Sequence, residues 1–157
     1  MKKSVRMPKR PATGNRKGVN GVGRFSVAFT ATNERDVVLA EEGSLPRNQV
    51  RQVTLSGVVD PGAVTLVLPR SAVLQLGLPI AGKSLVKYAN GSIAERDTVE
   101  GVAVTLLGRR GVFSAIVEPK RRDALIGAIV LEQLDFLVDP KLQRLFPRDP
   151  RGPIYEL

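Results

Sequence analysis

Asp60-Pro61-Gly62-Ala63-Val64 closes a run in which Val53, Leu55, Gly57 and Val59 alternate with other residues. A period of two predicts a half-buried strand, and Pro-Gly predicts that it breaks into a turn before an apolar stretch resumes at Leu66. The break leaves a carboxylate on a turn, where a rigid scaffold can present a group without burying its backbone. The rest of the inventory makes that carboxylate matter: the chain has no His and no Cys. Nucleophilic systems with an imidazole base are excluded, zinc loses its main ligands, and disulfides cannot form. Acid/base chemistry near neutral pH falls first to carboxylates, with Lys and Tyr behind them.

The 157 residues suit one domain, whose core is aliphatic because aromatic residues make up only 4%. No apolar run reaches the roughly 18 residues of a membrane span. No apolar stretch of signal-peptide type follows the basic N-terminus. A soluble, cytoplasmic protein without a membrane partner is the expectation. The net charge of +9 is unevenly spread. Lys2, Lys3, Arg6, Lys9, Arg10, Arg16, Lys17 and Arg24 precede the first acidic residue, whereas the 16 remaining basic residues face all 15 acidic ones. Seven of the eight lie in an arm over residues 1–22, so most of the basicity belongs to it; the arm is expected to be disordered and solubilising. Contact of this arm with nucleic acid is the lesser reading, since it has no aromatic residue to stack on bases. Residues 23–150 form the domain, and 151–157 a C-terminal tail.

The domain reads as all-β with one or two short helices. Phe25, Val27 and Phe29 alternate as a strand does, and Val37-Val38-Leu39 follows a turn-like Thr32-Asn33-Glu34. Ser71 to Leu78 predicts a short helix, capped by Ser71 and ended by Gly77. Asn90-Gly91 is a hairpin signal, with arms over Leu85–Tyr88 and Thr98–Leu107. Val112 to Val117 is another strand, and Leu125 to Leu134 passes from a buried strand into a helix. Phe136–Val138 and Leu142–Phe146 make a closing hairpin.

In this order, the elements resemble the retropepsin-like aspartic peptidases of bacterial single-domain type. Val58-Val59-Asp60-Pro61-Gly62-Ala63 stands where that family has two apolar residues and Asp-Thr-Gly-Ala. Lys87-Tyr88-Ala89-Asn90-Gly91 looks like the flap, and Ala124-Leu125-Ile126-Gly127-Ala128 like the apolar-apolar-Gly segment beneath the active-site loop. The resemblance covers roughly residues 23–148. It implies an acid-protease barrel that is one half of a two-fold dimer, with Asp60 of each copy forming the catalytic dyad. Two carboxylates about 3 Å apart hold one proton between them. The ionised member activates a water, and the protonated one polarises the peptide carbonyl. Pro61, Gly62 and Ala63 complete the active-site loop, Tyr88, Ala89, Asn90 and Gly91 the flap, and Leu125, Ile126 and Gly127 the loop support. The substrate would be an extended peptide or protein, with no metal and no organic cofactor.

Two positions depart from the family pattern. The family's Thr at position 61 donates hydrogen bonds across the dimer axis, and Pro61 has neither a hydroxyl nor an N–H. At about 1 kcal/mol per bond, several kcal/mol of rigidity are missing, against about 0.4–1 kcal/mol from a stiffer turn. An acidic residue and its Arg partner in retroviral relatives are replaced together by Val64 and Ala128, so no buried charge is stranded. Two other readings remain at this level. One is a catalytically silent dimer of the same fold that grips extended peptides. The other is a DNA-binding transcription factor of swapped-hairpin type, which Leu68-Pro69-Arg70 to Leu76-Gly77-Leu78 faintly resembles.

Overall fold

The computed structural model describes residues 24–157; the basic arm over residues 1–22 lies outside them. Nine strands and three short helices follow one another in the described residues. The first three strands are β1 (Phe25–Asn33), β2 (Gln52–Val59) and β3 (Leu66–Pro69). Next come β4 (Gly82–Lys87), β5 (Ile93–Leu106) and β6 (Arg109–Glu118), then β7 (Ala124–Ile126), β8 (Phe136–Asp139) and β9 (Arg144–Pro147). Helix α1 (Glu34–Glu41) follows β1, α2 (Arg70–Leu76) follows β3, and α3 (Ala128–Gln133) follows β7.

Seven strands hydrogen-bond in the order β1-β2-β7-β3-β6-β5-β4, and β1 also pairs with β5. That last pairing turns six of them into a closed barrel and leaves β4 outside as a hairpin arm. The all-β expectation is met. The alternation of β1 and β2 aims Phe29, Ala31 and Val59 inward, where they meet Leu66, Leu68, Val102, Val104 and Ile126. No aromatic residue dominates this core, and aliphatic side chains fill a barrel of six strands as they must. A register shift between Val99 and Val102, at Gly101 with φ +69°, bends β5. Its first half leaves the barrel with β4, and its second half closes the ring against β1. The strand β8–β9 hairpin forms a separate two-stranded sheet.

Three expectations need correction. There are three α-helices, not one or two: Glu34–Glu41, where the sequence offered only a turn-like start and an apolar Val37-Val38-Leu39, is α1. It is held from its ends and its polar face. Asn33 Oδ1 accepts the N–H of Asp36 at 3.1 Å, and Asn33 Nδ2 donates to Leu76 O at 2.8 Å. Second, Ser71 lies inside α2, which begins at Arg70 and has no side-chain cap; Gly77 does end it, with φ +62°. Third, the hairpin arms are not Leu85–Tyr88 and Thr98–Leu107. The loop runs from Tyr88 to Ser92, only Gly91 has positive φ (+85°), and Gly91 N–H donates to Tyr88 O. The arms are accordingly Gly82–Lys87 and Ile93–Leu106, longer than the apolar pattern suggested.

The tail over 151–157 also touches the domain: Tyr155 Oη donates to Gln133 O at 2.8 Å. No helix among the described residues is long and apolar enough to cross a membrane.

Asp36 anchors the α1 corner, 4% exposed, with Arg51 Nε on Oδ2 at 2.8 Å and Arg51 Nη2 on Oδ1 at 2.9 Å. The Arg51 guanidinium and its backbone N–H hold the Asp36 carboxyl below the usual range, against the opposing effect of burial. A lowered folded-state pKa stabilises above the unfolded value of about 3.9, and this is lost as pH falls through the folded value. Asp36→Asn is therefore expected to cost about 2 kcal/mol at pH 7. Urea midpoints of the two proteins should converge below about pH 4. A gap that stays constant down to pH 2 would contradict this.

Candidate active site

Strand β2 carries Asp60 to the barrel's end between two partners. It pairs antiparallel with β1 and parallel with β7, with Val59 opposite both Phe25 and Ile126. Asp60 N–H extends the ladder by donating to Ile126 O at 3.0 Å. The chain then turns. Ala63 N–H donates to Asp60 O at 3.1 Å, which puts Pro61 in the second position of a four-residue turn, a position that suits its fixed φ. Gly62 N–H donates to Asp60 Oδ1 at 3.0 Å.

The loop is seated on the segment that begins α3. Ala128 N–H donates to Ala63 O at 2.7 Å, and Ile129 N–H to Val64 O at 3.0 Å. Loop carbonyls thus satisfy N–H groups at the start of α3 that have no partner inside the helix. Gly127 makes this closeness possible. A Cβ there would lie 2.3 Å from Thr65 O and 2.8 Å from Ala63 O. Only a residue without a side chain lets the two backbones cross.

Asp60 is 8% exposed, and what remains visible faces a groove of about 810 Å³. Ala63, Val64, Thr65, Val67, Ile116 and Leu125 supply much of its floor and walls. The β4–β5 hairpin lies along it through Leu85, Val86, Lys87, Tyr88 and Ala89. Tyr88 reaches from the hairpin to the barrel: its Oη donates to Glu118 at 2.5 Å. Glu118 also accepts from Arg96 Nε at 3.2 Å, and the Arg96 guanidinium lies 5.7 Å from the centre of the Tyr88 ring. The bond to the Glu118 carboxylate, with burial, pushes the Tyr88 phenol above its ordinary value.

The residues singled out by sequence therefore fall into three groups. Asp60, Gly62, Ala63, Tyr88, Ala89 and Leu125 line one groove. Pro61, Ile126 and Gly127 build the loop and its seat. Asn90 and Gly91 shape the hairpin tip and do not line the groove; Asn90 Oδ1 accepts from Ser92 N–H at 2.9 Å. Sequence reasoning missed Arg24, whose Nη2 lies 3.0 Å from Asp60 Oδ2. The β1–β2 register explains the contact, because Arg24 precedes Phe25 and Asp60 follows Val59. It also missed Glu118 and Arg96. Their signal was cross-strand: Thr98 pairs with Ile116, so two residues further out Arg96 faces Glu118.

No protein-family model matches the chain, and a search of curated proteins finds no match.

Proposed function

We propose that the chain is a homodimeric aspartic endopeptidase of retropepsin-like type, with Asp60 of each copy forming the catalytic pair. One observation carries the reading: a carboxylate on a turn seated over Ile126-Gly127 faces a groove that a hairpin lines on one side. An extended peptide would lie in that groove, with hairpin backbone groups available to it. The two carboxylates share a proton; one takes a proton from a water that attacks the scissile carbonyl, and the other hydrogen-bonds the carbonyl oxygen. Gly62 N–H holds Oδ1 in place, which leaves Oδ2 for the water and the partner. Arg24 covers Oδ2 in the single chain, is 50% exposed, and turns away at a cost of about 1 kcal/mol.

The surface beside the loop supports a two-fold contact. Val64 is 77% exposed and Ile129 47%, and the two are neighbours through the Ile129 N–H to Val64 O bond. Both sit next to the loop that would have to meet its copy. Val64→Glu is expected to halve the sedimenting mass, to abolish pepstatin-sensitive cleavage, and to leave the melting temperature of the monomer within a few degrees. A wild type that sediments as a monomer at all concentrations sinks the proposal, because one carboxylate cannot play both roles.

The second reading is a catalytically silent dimer that binds extended peptides. Pro61, with no donor for the dimer axis, and the Arg24–Asp60 ion pair favour it. Absence of cleavage of a diverse peptide library between about pH 3 and 7, with peptide binding retained, would select this alternative.

A further inference from the structure

The groove contains five charged residues: Asp60 and Glu118 on the acidic side, Arg24, Lys87 and Arg121 on the basic side. Both carboxylates are engaged, Asp60 by Arg24 at 3.0 Å and Glu118 by Arg96 at 3.2 Å. Lys87, at the end of β4, and Arg121, in the β6–β7 connection, make no ion pair among the described residues. The side chain of Arg121 donates only from Nε, to the backbone carbonyl of Asp123 at 3.1 Å. Residues 1–23 hold no Asp or Glu, so they bring no carboxylate to either cation. The groove thus presents two unmatched positive charges beside an apolar centre made by Val67, Leu85, Val86, Ile116 and Leu125.

From this we infer that the groove selects acidic peptides: extended segments with apolar side chains at the centre and Glu or Asp on the flanks, read by Lys87 and Arg121. The inference rests on the reading of the groove as a peptide site and adds its substrate class. A polyphosphate backbone fits less well, because the lining between the charges is apolar and offers one aromatic ring, Tyr88, for stacking. In a two-fold dimer the same pair recurs on the other side, so both flanks of the peptide meet positive charge.

The test uses the full chain carrying Asp60→Asn, so that bound peptide is not cut, together with Arg24→Gln, so that the guanidinium released from Asp60 adds no third positive charge to the groove. Two labelled decapeptides share an apolar centre and carry either Glu or Lys on both flanks; binding is read by fluorescence anisotropy. The Glu peptide is expected to bind about tenfold more tightly at low salt, with the gap shrinking at high ionic strength. Lys87→Glu and Arg121→Glu, each made separately, narrow the gap by about threefold, and the double variant removes or reverses it. The basic arm is the same in all these proteins and cancels from the change that each substitution makes in the gap. Equal binding of both peptides, no binding of either, or a preference that neither substitution alters overturns the inference. So does a single-stranded oligonucleotide that displaces the Glu peptide and loses affinity in the same variants, since the surface then reads nucleic acid. Wild-type cleavage of both peptides with equal kcat/KM overturns the acidic preference and leaves the peptidase reading standing. Charge-selective binding with no cleavage does the reverse.

Discussion

On the proposed dyad mechanism, Asp60→Asn is expected to lower kcat/KM for any cleaved peptide by about a thousandfold or more while leaving the fold and the proposed dimer in place. Both copies lose the group that moves protons, and general acid/base contributions run to about 10²–10⁴-fold per group. The structural cost is small for a stated reason. The amide keeps an oxygen that can accept the Gly62 N–H, now at 3.0 Å from Oδ1, so the turn retains its internal bond. Its NH₂ would face the Arg24 guanidinium, two donors together, and the half-exposed arginine turns to solvent. Losing an ion pair of this exposure costs about 1 kcal/mol or less. Quenched-peptide kinetics, scanning calorimetry and sedimentation on the same preparation give the three readouts. Unchanged cleavage by the variant removes Asp60 from the mechanism.

Gly127→Ala places a methyl closer to backbone atoms than at any other glycine among the described residues, and is expected to be strongly destabilising. The backbone at Gly127, with φ −88° and ψ 179°, is one that alanine adopts freely, so conformational strain plays no part. The cost comes from collision. The new Cβ would stand 2.3 Å from Thr65 O and 2.7 Å from Thr65 N, both backbone atoms that cannot rotate aside. The chain must separate the loop from the start of α3, and the bonds from Ala128 and Ile129 to Ala63 and Val64 go with the separation. Overpacking at the upper end of its range predicts a loss of about 3 kcal/mol, or a fall in melting temperature of roughly 10 °C. Cleavage should fall further than stability does, because the displaced loop carries Asp60. Gly82→Ala is the control, since its Cβ would meet Thr98 Oγ1 at an ordinary 3.4 Å. Equal melting temperatures for the two variants would show that the loop has room to give.

Much of the barrel was legible because its strands have one face in the core. The alternation through Phe25, Phe29 and Val59 survives as inward-facing positions in β1 and β2. The apolar-apolar-Gly segment was legible for a similar reason: Ile126 is fully buried, and the glycine marks the backbone crossing. Helix α1 was not, because Asp36 is its only buried residue and no apolar stripe announces it. The readable cue was Asn33 ahead of Glu34 and Asp36, a cap followed by acidic residues in a first turn. The flap arms were drawn short because Lys83-Ser84-Leu85-Val86-Lys87 is mostly exposed and does not alternate. Within the site, residue types along one segment revealed Asp60, Gly62 and Tyr88, whereas Arg24 and Glu118 depend on which strands lie side by side. Pairing of distant strands is information that local pattern does not carry.

The ring closes through partners far apart in the chain: Ala31 against Val104, and Val59 against Ile126. Contacts of such separation make folding slow, in the millisecond-to-second range typical of barrels rather than the microseconds of helical bundles. They also fix an order of events on the ribosome. Asp60 is synthesised early, yet the seat that orients its turn is made only once residues 126–129 have emerged. Until then the carboxylate has no β7 beside it and no α3 beneath its loop. A nascent chain stalled before Ile126 carries the hairpin, β1 and the turn's own bonds, but lacks the β7 and α3 contacts that seat the Asp60 loop.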